Sequence, residues 1–197
     1  MKKALIAALL VFAPPCAAME KNSGMLEVFA ADSEATSEEI AAVERAAWIA
    51  NNVKNSDCFR EFMAGRKLIE TNGRTPDEVA AHLQSIAGAV PVSFYFRCLT
   101  ASQKCNSPTA AIAYRQPPDP AVFFNRAYYD VTSADFDIYE LAGSLAHEAL
   151  GHSLGGYDHA FDWTPDRDFS VPYSISGASS RNGDAFQHCR QTLGYSD

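Results

Sequence analysis

Apolar residues recur at helical spacing early in the chain, give way to short aromatic and β-branched runs, and return to helical spacing later. Thr36, three residues before Glu39, forms a capping-box pattern. Ile40, Val43, Ala47 and Ala50 then mark one face of a helix running to about Lys54. A second helix is predicted from about Asp57 to Glu70, stopped by Asn72-Gly73. Thr75-Pro76-Asp77-Glu78 combines a cap, a proline at the first helical position and acids in the first turn. It opens a third helix carrying Val79, Leu83 and Ile86. Val90 to Cys98, Ile112 to Arg115 and Ala121 to Phe124 read as strands. Ile138, Leu141, Leu145 and Ala149 predict a helix to about Leu154, and Gly183 to Leu193 a final one. Between them, Gly155 to Ser180 is rich in Gly, Pro, Ser and Asp and reads as structured loop. Helices, then a small sheet, then helix and loop argue for an α+β fold.

The N-terminus changes the picture of where the chain works. Lys2 and Lys3 precede an apolar run from Ala4 to Ala13, and small residues follow at Cys16-Ala17-Ala18. This predicts a signal peptide spanning residues 1–18 and export to a periplasm or beyond. Residues 19–36 are acidic and small and read as a flexible lead-in, leaving 37–197 as a single domain. The run is too short to cross a bilayer, so no membrane association is expected after processing. Net charge is −8, which argues against a nucleic-acid groove. The cysteines beyond the leader are Cys58, Cys98, Cys105 and Cys189. In an exported chain they predict two bridges, with Cys98–Cys105 and Cys58–Cys189 the favoured pairing. A monomer is expected.

The chemistry concentrates in LAHEALGHSLGGYDHAF, Leu145 to Phe161. Three of the five histidines fall here, beside Glu148 and Asp158. Zinc hydrolysis uses about three side-chain ligands, an open position, and a nearby carboxylate to take a proton from water. His147 and His152 are the predicted ligands and Glu148 the predicted base, with Asp158 and His159 following as candidates for the third ligand. The two histidines are five residues apart, where the familiar His-Glu-x-x-His helix has four. At 100° per residue a regular α-helix would turn the second imidazole about 140° from the first. A π-type turn would restore their alignment, with Gly151 easing the backbone. Alternatively the helix ends at Leu150 and His152 enters from a turn.

The same residues carry a second pattern. Gly151-His152-Ser153-Leu154-Gly155 fits the Gly-x-Ser-x-Gly nucleophile elbow and predicts a serine esterase or lipase using Ser153. An elbow should follow a buried strand, whereas Tyr139 to Leu150 has helical spacing. His188 is the only histidine beyond His159, which leaves little chain for the rest of a triad.

The order of motifs resembles the deuterolysin and lysine-specific metalloendopeptidase family, the aspzincins. Gly155 to Phe161 resembles that family's Gly-Thr-x-Asp-x-x-Tyr segment, and this resemblance is what places Asp158 on the metal. Ile112-Ala113-Tyr114, Val122-Phe123-Phe124 and Ala142 to Leu145 resemble the strands and helix start before the zinc site, and Asn182-Gly183-Asp184 a segment near the substrate pocket. The resemblance implies a zincin-like domain, one Zn2+ per chain, a protein or peptide substrate, and Asp184 as a substrate-binding residue. Phe161 stands where the family has a tyrosine that helps stabilise the oxyanion, leaving Tyr157 or Tyr173 to substitute. Gln187 stands where the lysine-specific branch has a second acid, so no lysine preference follows. The spacing His152-x-x-Gly155-x-x-Asp158 also resembles metzincins, but the last methionine is Met63, too early for their methionine turn. The combined expectation is an exported zinc endopeptidase. The competing expectation is a secreted non-catalytic protein on a degenerate protease scaffold.

Overall fold

The computed structural model describes residues 28–30, 35–86, 92–97, 121–159, 165–177 and 183–195. The predicted signal peptide, the Cys98–Cys105 pair, the strand expected at Ile112–Arg115, and Phe161 lie outside them. Thr36 caps α1 (Ser37–Lys54) through the predicted box: its side chain accepts from the Glu39 backbone and Glu39 reaches back to the Thr36 N–H at 2.8 Å. Glu39 has a second task. Its buried carboxylate accepts a two-pronged bond from Arg126, at 2.6 and 3.0 Å, fastening the start of α1 to the chain that follows β3. α2 (Asp57–Ala64) is capped by Ser56, and α3 (Pro76–Ser85) by the Thr75 box with its proline.

The sheet is parallel, in the order β1-β2-β3, with β1 Val28–Ala30, β2 Val92–Arg97 and β3 Ala121–Asn125. Val28 pairs with Val92, and Phe94 with Val122. Helices α1 to α3 lie between β1 and β2 in the chain, as a parallel pair requires a long connection. The result is a mostly helical molecule with a small sheet, compatible with α+β. All five residues of β3 are buried. Val43, Phe59, Leu83, Phe94, Phe124, Leu141 and Leu145 meet in one core between the helices and the sheet.

Three elements differ from the sequence reading. Residues 28–30 fall in the expected flexible lead-in but form β1, because a short apolar triplet finds hydrogen bonds along β2. α2 ends at Gly65, not near Glu70. Beyond it, Arg66 is drawn to Ser174 Oγ and the Asp168 carbonyl, both at 3.1 Å, and the Ile69 N–H bonds the Phe169 carbonyl. Tertiary partners therefore override helix propensity there. The expected loop 155–180 contains a 3-10 turn (Pro165–Phe169) and a short helix, α5 (Val171–Ile175). α6 (Ala185–Thr192) follows, capped by Asp184. The Cys58–Cys189 bridge joins α2 to α6. No helix among the described residues is long and apolar enough to cross a membrane.

Candidate metal centre

α4 (Ile138–Leu145) is capped by Asp137, whose side chain accepts from the Tyr139 and Glu140 N–H groups. The helix then widens into a π-helix over Ala146–Leu154. In a π-helix the backbone hydrogen bonds run between residues five apart. That is the separation of His147 and His152, and their ring centroids stand 5.1 Å apart. The π form is one of the two local geometries the spacing required. Gly151 has a further reason to be glycine: a Cβ there would lie 3.0 to 3.3 Å from atoms of Pro172. α5 therefore packs directly on the π-helix backbone.

At its end the chain doubles back. The Gly156 N–H bonds the His152 carbonyl, and the Tyr157 N–H bonds the Gly151 carbonyl, each at 3.0 Å. Asn72 Nδ2 donates to the Gly156 carbonyl, and His82 Nε2 lies 3.4 Å from the Gly155 carbonyl, so the α2–α3 region secures the turn. Tyr157 is fully buried, with the His82 ring 5.8 Å away. Tyr157 faces in, Asp158 is exposed, and His159 turns back toward the helix, partly covered.

The outcome is a cluster of His147, His152 and His159, with one ligand atom from each within 4.8 Å of the others. His147 and His152 are brought together as expected. Asp158, the expected third ligand, is exposed and not in the cluster; His159, the alternative, is. His147 Nδ1 donates to the Ser176 carbonyl at 2.7 Å and His152 Nδ1 donates to the Tyr157 carbonyl at 2.6 Å. A carbonyl can only accept, so in each of these two bonds the proton sits on Nδ1. Burial, then the neighbouring His152, holds His147 down at about 3, so its imidazole is neutral.

The donor set fits zinc. Three imidazoles are a ligand set that catalytic zinc sites use, with water taking the fourth position. Bonds of about 2.0–2.1 Å put tetrahedral nitrogens about 3.4 Å apart, so loading asks only a modest contraction of the cluster. Glu148 is buried beside it, with Oε1 3.9 Å from His147 Nε2. Burial pushes its carboxyl up to about 8, close to the range suited to moving protons at neutral pH.

Ser153 sits inside the π-helix, and its buried Oγ has no hydrogen-bond partner among the described residues. Helix precedes it where the elbow needs a strand. Asp184 is the α6 cap: Oδ1 accepts from the Gln187 N–H at 2.7 Å, and Oδ2 from the Gly177 N–H at 3.1 Å. Burial raises its pKa. It also helps line a cavity of about 320 Å³ with Glu140, Gly143, Ser144 and Ser176. Ser176 joins the two features, since its carbonyl orients His147. Sequence reasoning missed this role of Ser176 and the seat of α5 on Gly151; the Pro172 packing carries no local sequence signature.

No family model, curated protein or solved structure matches the chain.

Proposed function

We propose that the chain is an exported zinc-dependent endopeptidase with a zincin-like site, in which His147, His152 and His159 hold the metal and Glu148 is the general base. The observation that carries this reading is the convergence of three imidazoles beside one buried carboxylate. The zinc ion supplies Lewis acidity toward water and the scissile carbonyl. Glu148 takes the proton from the attacking water and delivers it to the departing amine. The Ser176 and Tyr157 carbonyls keep the imidazoles in the tautomer that binds. The cavity walled by Asp184 and Glu140 shares Ser176 with the site and is where a substrate side chain would sit. The order of motifs that resembles the aspzincins supports the same reaction, with His159 replacing Asp158 in the ligand set. The Cys58–Cys189 bridge supports export, because such bridges persist in oxidising compartments.

Metal analysis and hydrolysis of unfolded casein test the proposal together. One zinc per chain is expected, with hydrolysis abolished by chelation and restored by zinc. Glu148→Gln should keep the metal and lose hydrolysis. Zinc bound without hydrolysis would favour the non-catalytic reading. Hydrolysis that survives chelation and is lost in Ser153→Ala would overturn the metal mechanism.

A further inference from the structure

His147 is aimed by the bond from its Nδ1 to the Ser176 carbonyl at 2.7 Å, so whatever fixes that carbonyl fixes the imidazole. Ser176 lies just past α5 and is held from several directions. Its own N–H bonds the Pro172 carbonyl at 3.1 Å. Its side chain rests on α4 where Gly143 leaves space: a Cβ there would lie 2.5 Å from Ser176 Oγ. The third hold is the most direct. The Gly177 N–H donates to Asp184 Oδ2 at 3.1 Å. A peptide unit is planar and trans, so the Gly177 N–H and the Ser176 carbonyl are one rigid group whose two ends point in opposite directions. Asp184 grips one end, and His147 is bonded to the other. Asp184 itself is 4% exposed, and its remaining oxygen accepts from the Gln187 N–H at 2.7 Å. Both carboxylate oxygens are therefore engaged by backbone.

We propose that Asp184 is a positioning residue: through the Ser176–Gly177 peptide group it orients His147 toward the metal, rather than gripping substrate. The metal in this statement rests on the metallopeptidase reading above; the relay belongs to the metal-free chain. The carboxylate polarises the amide, the amide carbonyl accepts more strongly from Nδ1, and the imidazole becomes the better ligand.

Asp184→Asn tests this. Asn caps helices as well as Asp does. Its single oxygen stays with α6, where the Phe186 and Gln187 N–H groups both face it, and its NH2 then confronts the Gly177 N–H, donor against donor. In the metal-free protein, the His147 Nδ1–H proton, assigned by its loss in His147→Gln, should move upfield in the NMR spectrum and exchange faster with water. The His152 proton should stay in place, and the same spectrum reports that the variant is folded. Zinc affinity, read by chelator competition, should fall about tenfold, the low end for partners of metal ligands because Asp184 acts one group further out. KM for a peptide substrate should change little, since no substrate contact is lost. The control replaces Cys58 and Cys189 by serine, which frees α6 from α2 without touching Gly177. It should leave the His147 proton and zinc affinity near wild type.

An unmoved His147 proton in Asp184→Asn, or no hydrogen-bonded His147 proton in wild type, would overturn the inference. So would a raised KM with zinc affinity intact, which makes Asp184 a substrate contact, or an equal loss of zinc in the control, which makes its role one of stability alone. If wild type binds no zinc, the metallopeptidase reading fails, and the proton shift alone decides whether Asp184 orients His147.

Discussion

Replacing Gly155 by alanine tests how the second imidazole is positioned. Gly155 follows the π-helix with φ −75°, a conformation open to any residue, so backbone strain is not the issue. Space is. A Cβ would lie 2.2 Å from the Leu150 carbonyl oxygen, 2.9 Å from that of Gly151, and 3.0 Å from Tyr157 Cδ2. Comfortable carbon–oxygen contacts begin near about 3.3 Å. The turn must therefore retreat by roughly an ångström from backbone atoms that cannot rotate away, at the upper end of overpacking costs, about 3 kcal/mol. At about 2–4 °C per kcal/mol for a chain of this size, the melting temperature should drop by about 6–12 °C. The same shift pulls the Tyr157 carbonyl from His152 Nδ1, which should weaken zinc about 10–100-fold. Thermal unfolding of the metal-free protein and competition calorimetry with zinc read the two effects separately. Gly156→Ala is the control: φ there is +70° and nothing lies within 4 Å of the added carbon. It should cost about 1–2 kcal/mol through its backbone and leave zinc affinity near wild type. A Gly155→Ala protein that melts within about 2 °C of wild type, the limit set by 1 kcal/mol, and binds zinc normally would refute the packing argument.

Other substitutions separate the remaining claims. His159→Ala should weaken zinc by more than about 100-fold and Asp158→Asn by less than about threefold, measured by metal competition; the reverse order would return Asp158 to the metal. Replacing Cys58 and Cys189 by serine opens a loop with a sequence separation of 131 residues and should cost about 2–5 kcal/mol in denaturant unfolding. Burial pushes the Lys54 ammonium, which donates to the Ile86 carbonyl at 2.6 Å, down to about 8. Between pH 8 and its ordinary value of 10.5 the unfolded chain holds a proton that the folded chain has released, so this group makes stability rise with pH across that window. The full rise is on the order of 3 kcal/mol, and Lys54→Met should remove it from a pH series of unfolding curves; parallel wild-type and variant curves would count against the burial argument.

Local rules in the sequence located much of this fold. Both capping boxes, at Thr36 and Thr75, fold as their side chains dictate, because a cap needs only neighbours within one turn. The Cys58–Cys189 pairing was also legible. What escaped depends on distant partners. Arg66 leaves helical register for Ser174 and Asp168, about a hundred residues on. α5 is five residues long, too short for a periodic pattern, and forms where Pro172 meets Gly151. At the candidate metal cluster the approach of His147 and His152 was legible from residue type and spacing. Which of Asp158 and His159 faces the other two histidines was not, because it turns on how the chain leaves the Gly155-Gly156 turn.

The widened helix has a practical corollary for recognising such chains. A histidine cluster is drawn in space, and an extra residue absorbed within one turn leaves the two rings together while erasing the four-step signature in the text. Scans that count only four steps between histidines will pass over proteins built this way; those that also admit five, with a glycine ahead of the second imidazole, would find them.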